Sequence, residues 1–273
     1  DFVQEAYPTL ERIIAAYRRG THHSIYMDTD GLIHAGSGLD QVTWMDIRVN
    51  DILPTPRHGK PVEINAYWYN ALRVMDLFAH RLRIKNDYAE LAELVKTSFV
   101  EKFYMPDKGY LRDVLSGTSA DEQLRCNQVW ALSMPFTMLN FEQECAVLHS
   151  VEQHLHTSCG LRTLSPSDSE FRGSYGGDQL NRDLAYHQGT VWVFPLGAFY
   201  LAYLRLRGCI PEAEADAILV NTCAFIESAK KESIDNILDI AWLKKHAKLK
   251  ALIVTGCLAE RSREEVLSDM PEV

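Results

Sequence analysis

The chain has 273 residues, of which 47% are hydrophobic and 24% charged, the composition of a folded globular protein with a sizeable core. No apolar run is long enough for a membrane span and no signal-peptide pattern is visible, so neither is expected. The net charge of −9 is spread along the chain, which argues against nucleic-acid binding because such binding needs a concentrated basic surface. Six cysteines without zinc-like spacing predict a reduced, cytoplasmic protein.

The two parts of the chain differ in composition. Residues 1–208 contain 25 of the 27 aromatic residues and 5 of the 11 lysines. Residues 209–273 contain 2 aromatic residues and 6 lysines. This contrast predicts a domain boundary near residue 208.

Before that boundary, apolar residues recur at helical spacing. The pattern predicts six helices, at 2–20, 62–82, 87–105, 127–139, 141–155 and 187–208. Neither a β-hairpin series nor a βαβ unit is predicted there. We therefore expect a mainly α architecture whose long loops carry the function.

After the boundary, the pattern becomes α/β. Strand, helix, strand and helix are predicted in turn at 215–222, 224–246, 250–256 and 262–270. Two apolar strands joined by a helix predict a βαβ unit with parallel strands.

Five loops of the first part combine aromatic and polar side chains. They read "QVTWMD" (41–46), "TPRHGKPVEINAYWYN" (55–70), "RCNQVWA" (125–131), "GLRTLSPSDSEFRGSYGG" (160–177) and "NRDLAYHQGTVW" (181–192). Aromatic faces cover the apolar side of a sugar ring, while polar side chains bond its hydroxyl groups. Glycoside hydrolysis additionally needs two carboxyl groups that flank the bond.

Taken singly, each of these residues has a structural alternative. Trp68 and Trp130 are typical core residues, and Asp46 could cap a helix. Asp183 could pair with the arginine that precedes it, and His187 could be a buried imidazole with satisfied hydrogen bonds. The five loops together favour a sugar site.

The motifs "TWMD", "TPRHGKPVEINAYWYNAL", "RCNQVWALSMP", "GLRTLSPSD" and "RDLAYHQGTVW" resemble the C-terminal glucosidase domain of glycogen debranching enzymes, the amylo-α-1,6-glucosidase family, over residues 1–207. The resemblance implies a mainly α fold, an incomplete α/α toroid of the six-hairpin glycosidase type. It also implies hydrolysis of α-1,6-linked glucose at branch points of glycogen or another branched α-glucan, with inversion. No cofactor is implied for this part.

By position, the resemblance makes Asp46 the general acid. A buried apolar setting beside Trp44 is expected to raise the pKa of the Asp46 carboxyl. The residues expected to bind substrate are Trp44, Arg57, Glu63, Asn127, Gln128, Arg182, Asp183, His187, Gln188 and Trp192. These residues could equally hold the loops in shape.

The first part also departs from the family. An upstream segment that contains Trp-Gly-Arg-Asp has no counterpart. The family's catalytic base lies in a loop after the helix that here ends near Gly208, and that loop is absent too. Inversion needs this second carboxylate to activate water. We therefore expect an incomplete site whose hydrolysis is weak or absent.

In the second part, Cys223 and Cys257 each follow a predicted strand, and parallel strands would bring both to one sheet edge. The pair suggests a metal or cluster, or two small buried side chains. "ADAILVNTCAFIESAKKESIDNIL" and "KALIVTGCLAERSREEVLSDMPEV" resemble the N-terminal domain of radical-SAM methylthiotransferases over 213–273. In that family three cysteines bind a four-iron four-sulfur cluster. Cys223 and Cys257 match two of the three, so we do not expect the cluster to be held.

Three functional hypotheses follow. The chain is a debranching-type glycoside hydrolase, a fragment of a methylthiotransferase that acts on tRNA or a ribosomal protein, or a non-catalytic glucan-binding module. The two resemblances meet at a seam near residues 208–214. The first part lacks the catalytic base that its family carries after this point, and the second part lacks one of the three cluster cysteines of its family. We expect a chimeric join rather than a natural two-domain fusion, because a fusion keeps whole cores.

Overall fold

The computed structural model describes residues 2–117, 119–207, 217–222, 227–246, 249–256 and 259. Contacts between residues divide the chain into two compact units, an N-terminal unit at Asp1–Leu206 and a C-terminal unit at Arg207–Val273.

The described part of the N-terminal unit is mainly helical. Its helices are α1 (Phe2–Arg19), α2 (Val62–Leu82), α3 (Tyr88–Phe103), α4 (Val129–Ser133), α5 (Phe141–His154), α6 (Gln179–Ala185) and α7 (Pro195–Arg207). The predicted mainly α architecture is confirmed, while closure of the helices into a toroid stays a prediction.

Two predicted helices are shorter than expected, and the cause in each case is a proline. The segment predicted at 127–139 begins with a 3-10 turn at Cys126–Gln128 and ends its α-helix at Ser133. Met134 is extended (φ −68°, ψ 152°) because it precedes Pro135, and that position disfavours the helical conformation. The segment predicted from residue 187 becomes helical only at Pro195, the residue type favoured at the first helical position.

Ten short strands contradict the expectation that the N-terminal unit lacks hairpins. They are β1 (Tyr26–Met27), β2 (Ile33–His34), β3 (Lys60–Pro61), β4 (Tyr104–Met105), β5 (Tyr110–Leu111), β6 (Val114–Ser116), β7 (Ser119–Asp121), β8 (His156–Thr157), β9 (Gly160–Arg162) and β10 (Val191–Trp192). They form antiparallel sheets with the orders β1-β2, β3-β6-β7, β4-β5 and β10-β9-β8. Strands of two or three residues are too short to show a period-two hydrophobic pattern, so that pattern could not reveal them. The turn signal Asp30-Gly31 does mark the connection between β1 and β2.

Helix α2 lies at the centre of the core and contacts α1, α3 and α4. Trp68, Leu72 and Met75 on its predicted apolar face are buried, whereas Ile64 is partly buried. Trp68 Nε1 also donates to Gly31 O at 3.0 Å, so this tryptophan is a core residue with a satisfied polar atom.

The described part of the C-terminal unit contains β11 (Ala217–Thr222), α8 (Glu227–His246) and β12 (Ala251–Gly256). The strands are parallel, in register from Ala217–Ala251 to Thr222–Gly256, as predicted. Helix α8 covers one face of the pair, where Val220, Ile237, Ala241, Leu249 and Leu252 form the core.

The other face of the strand pair carries apolar side chains that are exposed to solvent. Leu219 is 45% exposed and Ile253 is 49% exposed. Cys223, Cys257 and the helix predicted at 262–270 lie outside the described residues.

Within the described ranges, no helix combines the length and apolar character required to cross a membrane. The cysteines described there, Cys126, Cys145 and Cys159, are free thiols.

Candidate active site

A buried ion cluster lies between the start of α2 and the chain that enters β6. Arg57 donates from Nε to Asp113 Oδ2 at 2.7 Å and from Nη2 to Glu63 Oε2 at 2.6 Å. Its Nη1 also bonds the second oxygen of Glu63. Burial opposes the charge on Arg57, but Asp113 and Glu63 outweigh it and raise the pKa of the guanidinium above its ordinary value. Arg57 is therefore a cation held by two carboxylates.

The cluster extends to a tryptophan in the first polar loop. Asn127 Nδ2 donates to Asp113 Oδ1 at 2.8 Å, and Asn127 Oδ1 accepts from Trp44 Nε1 at 2.8 Å. The indole of Trp44 is thus tied through an amide to the buried carboxylate. The sequence did not indicate Asp113, because its segment carries no family motif and its role depends on contacts across the fold.

A second buried arginine connects the later loops. Arg125 donates to His187 O at 2.8 Å and to Gln188 Oε1 at 2.6 Å. Its Nε lies 3.9 Å from Asp113 Oδ2 and has no hydrogen-bond partner among the described residues. Burial lowers the pKa of Arg125, while Asp113 and Asp121 oppose that change. Arg125 is the first residue of the motif "RCNQVWA", and that motif is the sequence signal for it, although Arg125 is not among the predicted site residues.

The two predicted glutamines hold backbone in place. Gln128 accepts from the Leu111 N–H at 3.0 Å and donates to Arg125 O at 2.8 Å. Gln188 donates to Pro54 O at 2.9 Å. Both side chains are buried, so their geometry supports the loops.

Partly exposed aromatic rings pack around Trp44 and form an aromatic wall, which we define as Trp44, Tyr186, Trp192 and Phe194. Trp44 meets Phe194 edge to face with ring centroids 4.7 Å apart, and Tyr186 meets Trp192 at 4.9 Å. Trp192 Nε1 donates to Tyr186 O at 3.2 Å. Phe194 is 40% exposed, so the wall presents ring surface to solvent.

His187 lies behind this wall. It is 2% exposed, and its ring centroid is 5.2 Å from that of Trp44. Its Nδ1 has no hydrogen-bond partner in the described part of the chain, so it is not the satisfied core imidazole considered above. Burial, then Arg125 and Arg57, lower the pKa of His187 to about 4, so the ring is neutral at pH 7.

Asp46 is exposed, which contradicts the expected buried apolar setting. Trp44 is two residues away, and its ring packs on Phe194 and His187. No helix begins at Asp46, so it is not an N-cap. Among the described residues it has neither a hydrogen bond nor an ion pair.

Asp46 and Asp183 share one neighbour. Burial, then Tyr175, Asp46 and Asp183, raise the pKa of the Tyr186 phenol, so both carboxylates lie within electrostatic reach of it. Arg182 donates to Gly177 O at 2.6 Å. In the described part of the chain Arg182 has no ion pair with Asp183, so that structural alternative is not observed.

The predicted site residues thus fall into connected groups. Trp44, Arg57, Glu63 and Asn127 form one buried network, and Gln188 joins it through Arg125. His187 and Trp192 belong to the packing around Trp44, with Asp46 and Asp183 near Tyr186. Within the described part of the chain, no hydrogen bond, ion pair or ring contact joins Arg182 to these groups. The predicted cluster ligands Cys223 and Cys257 lie outside the described residues, and those described contain no group of three or more metal-binding side chains.

The family model for amylo-alpha-1,6-glucosidase matches residues 1–250. The chain belongs to this family. The matched range includes all the loops described above and extends past the boundary predicted near residue 208. It identifies the chain as glycoside-hydrolase type.

Curated relatives match a much shorter stretch. The ribosomal protein uS12 methylthiotransferase RimO of Lachnoclostridium phytofermentans is 60% identical over 62 residues, 23% of this chain and 14% of that protein. RimO of Clostridioides difficile is 63% identical over 60 residues, 22% of this chain and 14% of the relative. The predicted methylthiotransferase resemblance is confirmed, and the chain spans about a seventh of those relatives' length.

Solved structures give weaker similarity. A sialidase has a TM-score of 0.49 at 14% identity, covering 86% of this chain and 20% of the sialidase. A family GH78 rhamnosidase of Bacillus sp. GL1 has a TM-score of 0.37 at 16% identity, covering 81% of this chain and 26% of the rhamnosidase.

Proposed function

We propose that the N-terminal unit is a debranching-type glucosidase site, which hydrolyses α-1,6-linked glucose at branch points of glycogen or a related glucan. The observation that carries the proposal is the exposed Asp46 carboxylate, free of protein partners among the described residues, in the same electrostatic neighbourhood as the aromatic wall. Family membership supports the reaction class.

Each part of the site has a role in this proposal. Rings of the aromatic wall cover the apolar face of the terminal glucose, since such contacts suit partly exposed indoles. The carboxyl group of Asp46 donates a proton to the glycosidic oxygen as the bond to the anomeric carbon breaks. Arg57, Glu63 and Asn127 act as positioning residues, because their polar atoms are engaged in the buried network that orients Trp44.

Turnover is weak in this proposal because the base-carrying loop of the family is not found after α7. Inverting hydrolysis needs a second carboxylate roughly 6.5–9.5 Å from the acid to activate water. Asp183 is the second carboxylate near Tyr186, but it does not stand in the family's base motif.

The test is glucose release from a branched limit dextrin. We expect slow release by the chain, and loss of at least about a hundredfold in Asp46→Asn, the usual scale for a general acid. Asp51→Asn is the matched control, because Asp51 is an exposed aspartate in the same loop. Equal activity of Asp46→Asn and wild type would remove Asp46 from the mechanism. Glucan binding without any turnover would instead favour a non-catalytic module.

Azide, a small nucleophilic anion, distinguishes a site that lacks the catalytic base from a site that lacks the general acid. With α-glucosyl fluoride as substrate, azide attacks the anomeric carbon, fluoride leaves, and glucosyl azide of inverted configuration forms. If only the base is missing, azide should accelerate turnover of wild type, and Asp183→Asn should respond equally. Acceleration in Asp183→Asn alone would make Asp183 the base.

The identity to RimO favours a second candidate function for the C-terminal unit, a fragment of an iron–sulfur methylthiotransferase. Anaerobic reconstitution with iron and sulfide should leave the chain without the visible absorbance of a stable four-iron four-sulfur cluster, because two matched cysteines cannot complete the set. A stable cluster lost in Cys223→Ser would establish this candidate instead.

The two resemblances also support a chimeric join near residues 208–214. Sequencing reads of the source DNA that span codons 200–220 test it. Reads that break at the junction are expected, and an unbroken, evenly covered junction would contradict the join.

A further inference from the structure

A large polar cleft lies apart from the aromatic wall in the N-terminal unit. It has a volume of about 670 Å³ and is lined by Tyr26, His34, Lys60, Lys102, Arg112 and Glu122 among others. None of the residues assigned to the candidate active site lines it. We name it the Tyr26 cleft.

The small β3-β6 sheet forms one wall of the cleft. Lys60 and Leu115 are register partners and both line the cleft, while the next pair, Pro61 and Val114, is buried. Alternate residues of a strand point to opposite faces of a sheet, so the cleft occupies the face opposite those buried residues.

The charges of the cleft are already balanced. Asp30 accepts from Lys60 Nζ at 2.7 Å and from Lys102 Nζ at 2.5 Å, and Lys60 also pairs with Asp28 at 2.8 Å. On the far side Arg112 pairs with Glu122 at 3.2 Å. Three cations thus face three carboxylates. This balance disfavours a metal ion or a phosphorylated ligand and leaves alternating donors and acceptors for neutral hydroxyl groups.

An aromatic pair completes the lining. The rings of Tyr26 and His34 stack with centroids 4.9 Å apart and an interplanar angle of 19°, and Tyr26 is 37% exposed. His34 Nδ1 donates to Ser24 O at 3.0 Å, so Nε2 is the ring nitrogen that remains for a ligand. Among the described residues, neither that nitrogen nor the Tyr26 hydroxyl has a hydrogen-bond partner.

We propose that the Tyr26 cleft is a second saccharide-binding site, which takes a neutral oligosaccharide and performs no hydrolysis. The aromatic pair supplies a ring face, and the paired ions supply hydrogen bonds to hydroxyl groups on both sides. The proposal does not require Asp46 to be catalytic, because the cleft contains its own recognition groups.

The test is a titration of the full chain with maltoheptaose, followed by NMR of histidines labelled at Cε1, with the His34 signal assigned from His34→Gln. We expect the His34 signal to shift, and Tyr26→Ala to weaken binding about tenfold, the scale of one aromatic contact. Tyr26→Phe should retain most of the affinity. Tyr17→Ala, which removes a tyrosine of equal exposure outside the cleft, should match wild type.

Asp46→Asn separates this proposal from the catalytic one. It should leave the His34 shift intact whether or not it abolishes glucose release. A His34 signal that never moves overturns the cleft proposal, as does a Tyr26→Ala chain that melts like wild type and binds equally well. A shift caused by inorganic phosphate but not by the saccharide also overturns it.

Discussion

The two units are stabilised by different kinds of interior. The N-terminal unit encloses a broad apolar core and, beside it, ionic groups that hold several loops together. The described part of the C-terminal unit has a core of five residues between one helix and two strands. Apolar contacts between a helix and two strands suffice for the small sheet, whereas the loops of a site need directional polar contacts between distant segments.

Removal of a carboxylate from the buried cluster should have the largest effect. Asp113→Ala removes one of the two carboxylates that hold the buried Arg57, together with the acceptor of Asn127 Nδ2, and we expect a loss of about 3–5 kcal/mol in the free energy of unfolding. Urea denaturation measures it. Asp51→Ala is the control, because its pair with Arg48 is exposed and should contribute at most about 1 kcal/mol. Equal effects of the two substitutions would mean that the buried cluster is not a special feature of the N-terminal unit.

A cavity in the small apolar core of the C-terminal unit tests whether that core stabilises its two strands. Ile237 on α8 is fully buried, so Ile237→Ala should cost about 2–5 kcal/mol in the C-terminal unit. Hydrogen exchange at the β11 amides should accelerate strongly. Leu238→Ala, at an adjacent position that is 51% exposed, should change exchange little. Unchanged exchange in Ile237→Ala would show that this core does not hold the strands.

The buried histidine gives the N-terminal unit a pH dependence. His187 has a pKa lowered to about 4 in the folded chain, against an ordinary value of 6.5. The unfolded chain therefore binds a proton that the folded chain does not, and stability falls as the pH drops from 6.5 toward 4. This difference in proton binding lowers the free energy of unfolding at pH 5 by about 2 kcal/mol relative to its value at pH 7.

Urea denaturation of wild type and His187→Gln at pH 7 and pH 5 isolates this effect from the other titrating groups. Stability of the variant should fall less between the two values. Parallel losses in both proteins would mean that His187 is protonated without cost in the folded state.

A local cap should have the smallest effect. Asn140 accepts from the Gln143 N–H at 2.9 Å, and the Gln143 side chain bonds back to the Asn140 N–H at 3.0 Å. Asn140→Ala should lower the free energy of unfolding by about 1 kcal/mol. Asn140→Asp should recover most of it. A loss as large as that of Asp113→Ala would contradict the view that long-range polar contacts outweigh local ones.

The sequence predicted the helices better than the loops. The bounds 62–82 agree with α2 because its apolar periodicity is regular, although Arg83, with φ of 59°, ends it without a glycine signal. The start of α7 was placed too early because "VWVF" is apolar enough to continue a helical pattern. Gly189, with φ of 132° and an approach to Arg172 O that leaves no room for a Cβ, is not helical, and the helix begins only at Pro195.

The sequence motifs contained several residues of the buried network but did not indicate the contacts that join them. The motifs supplied Trp44, Arg57 and Asn127, which the fold joins in one network. They could not supply Asp113, since its partners come from several separate loops. The exposure of Asp46 was also beyond prediction, because a neighbouring tryptophan in sequence does not fix which way its ring packs.

The stereochemistry of the first glucose released is the most direct test of Asp46 as the acid of an inverting debranching site. Proton NMR during hydrolysis of a limit dextrin, at high enzyme concentration, follows the anomeric signals before mutarotation mixes them. If hydrolysis inverts and Asp46 is the acid, β-glucose is the first product of wild type and Asp46→Asn releases none. α-Glucose as the first product, or undiminished release by Asp46→Asn, would contradict it.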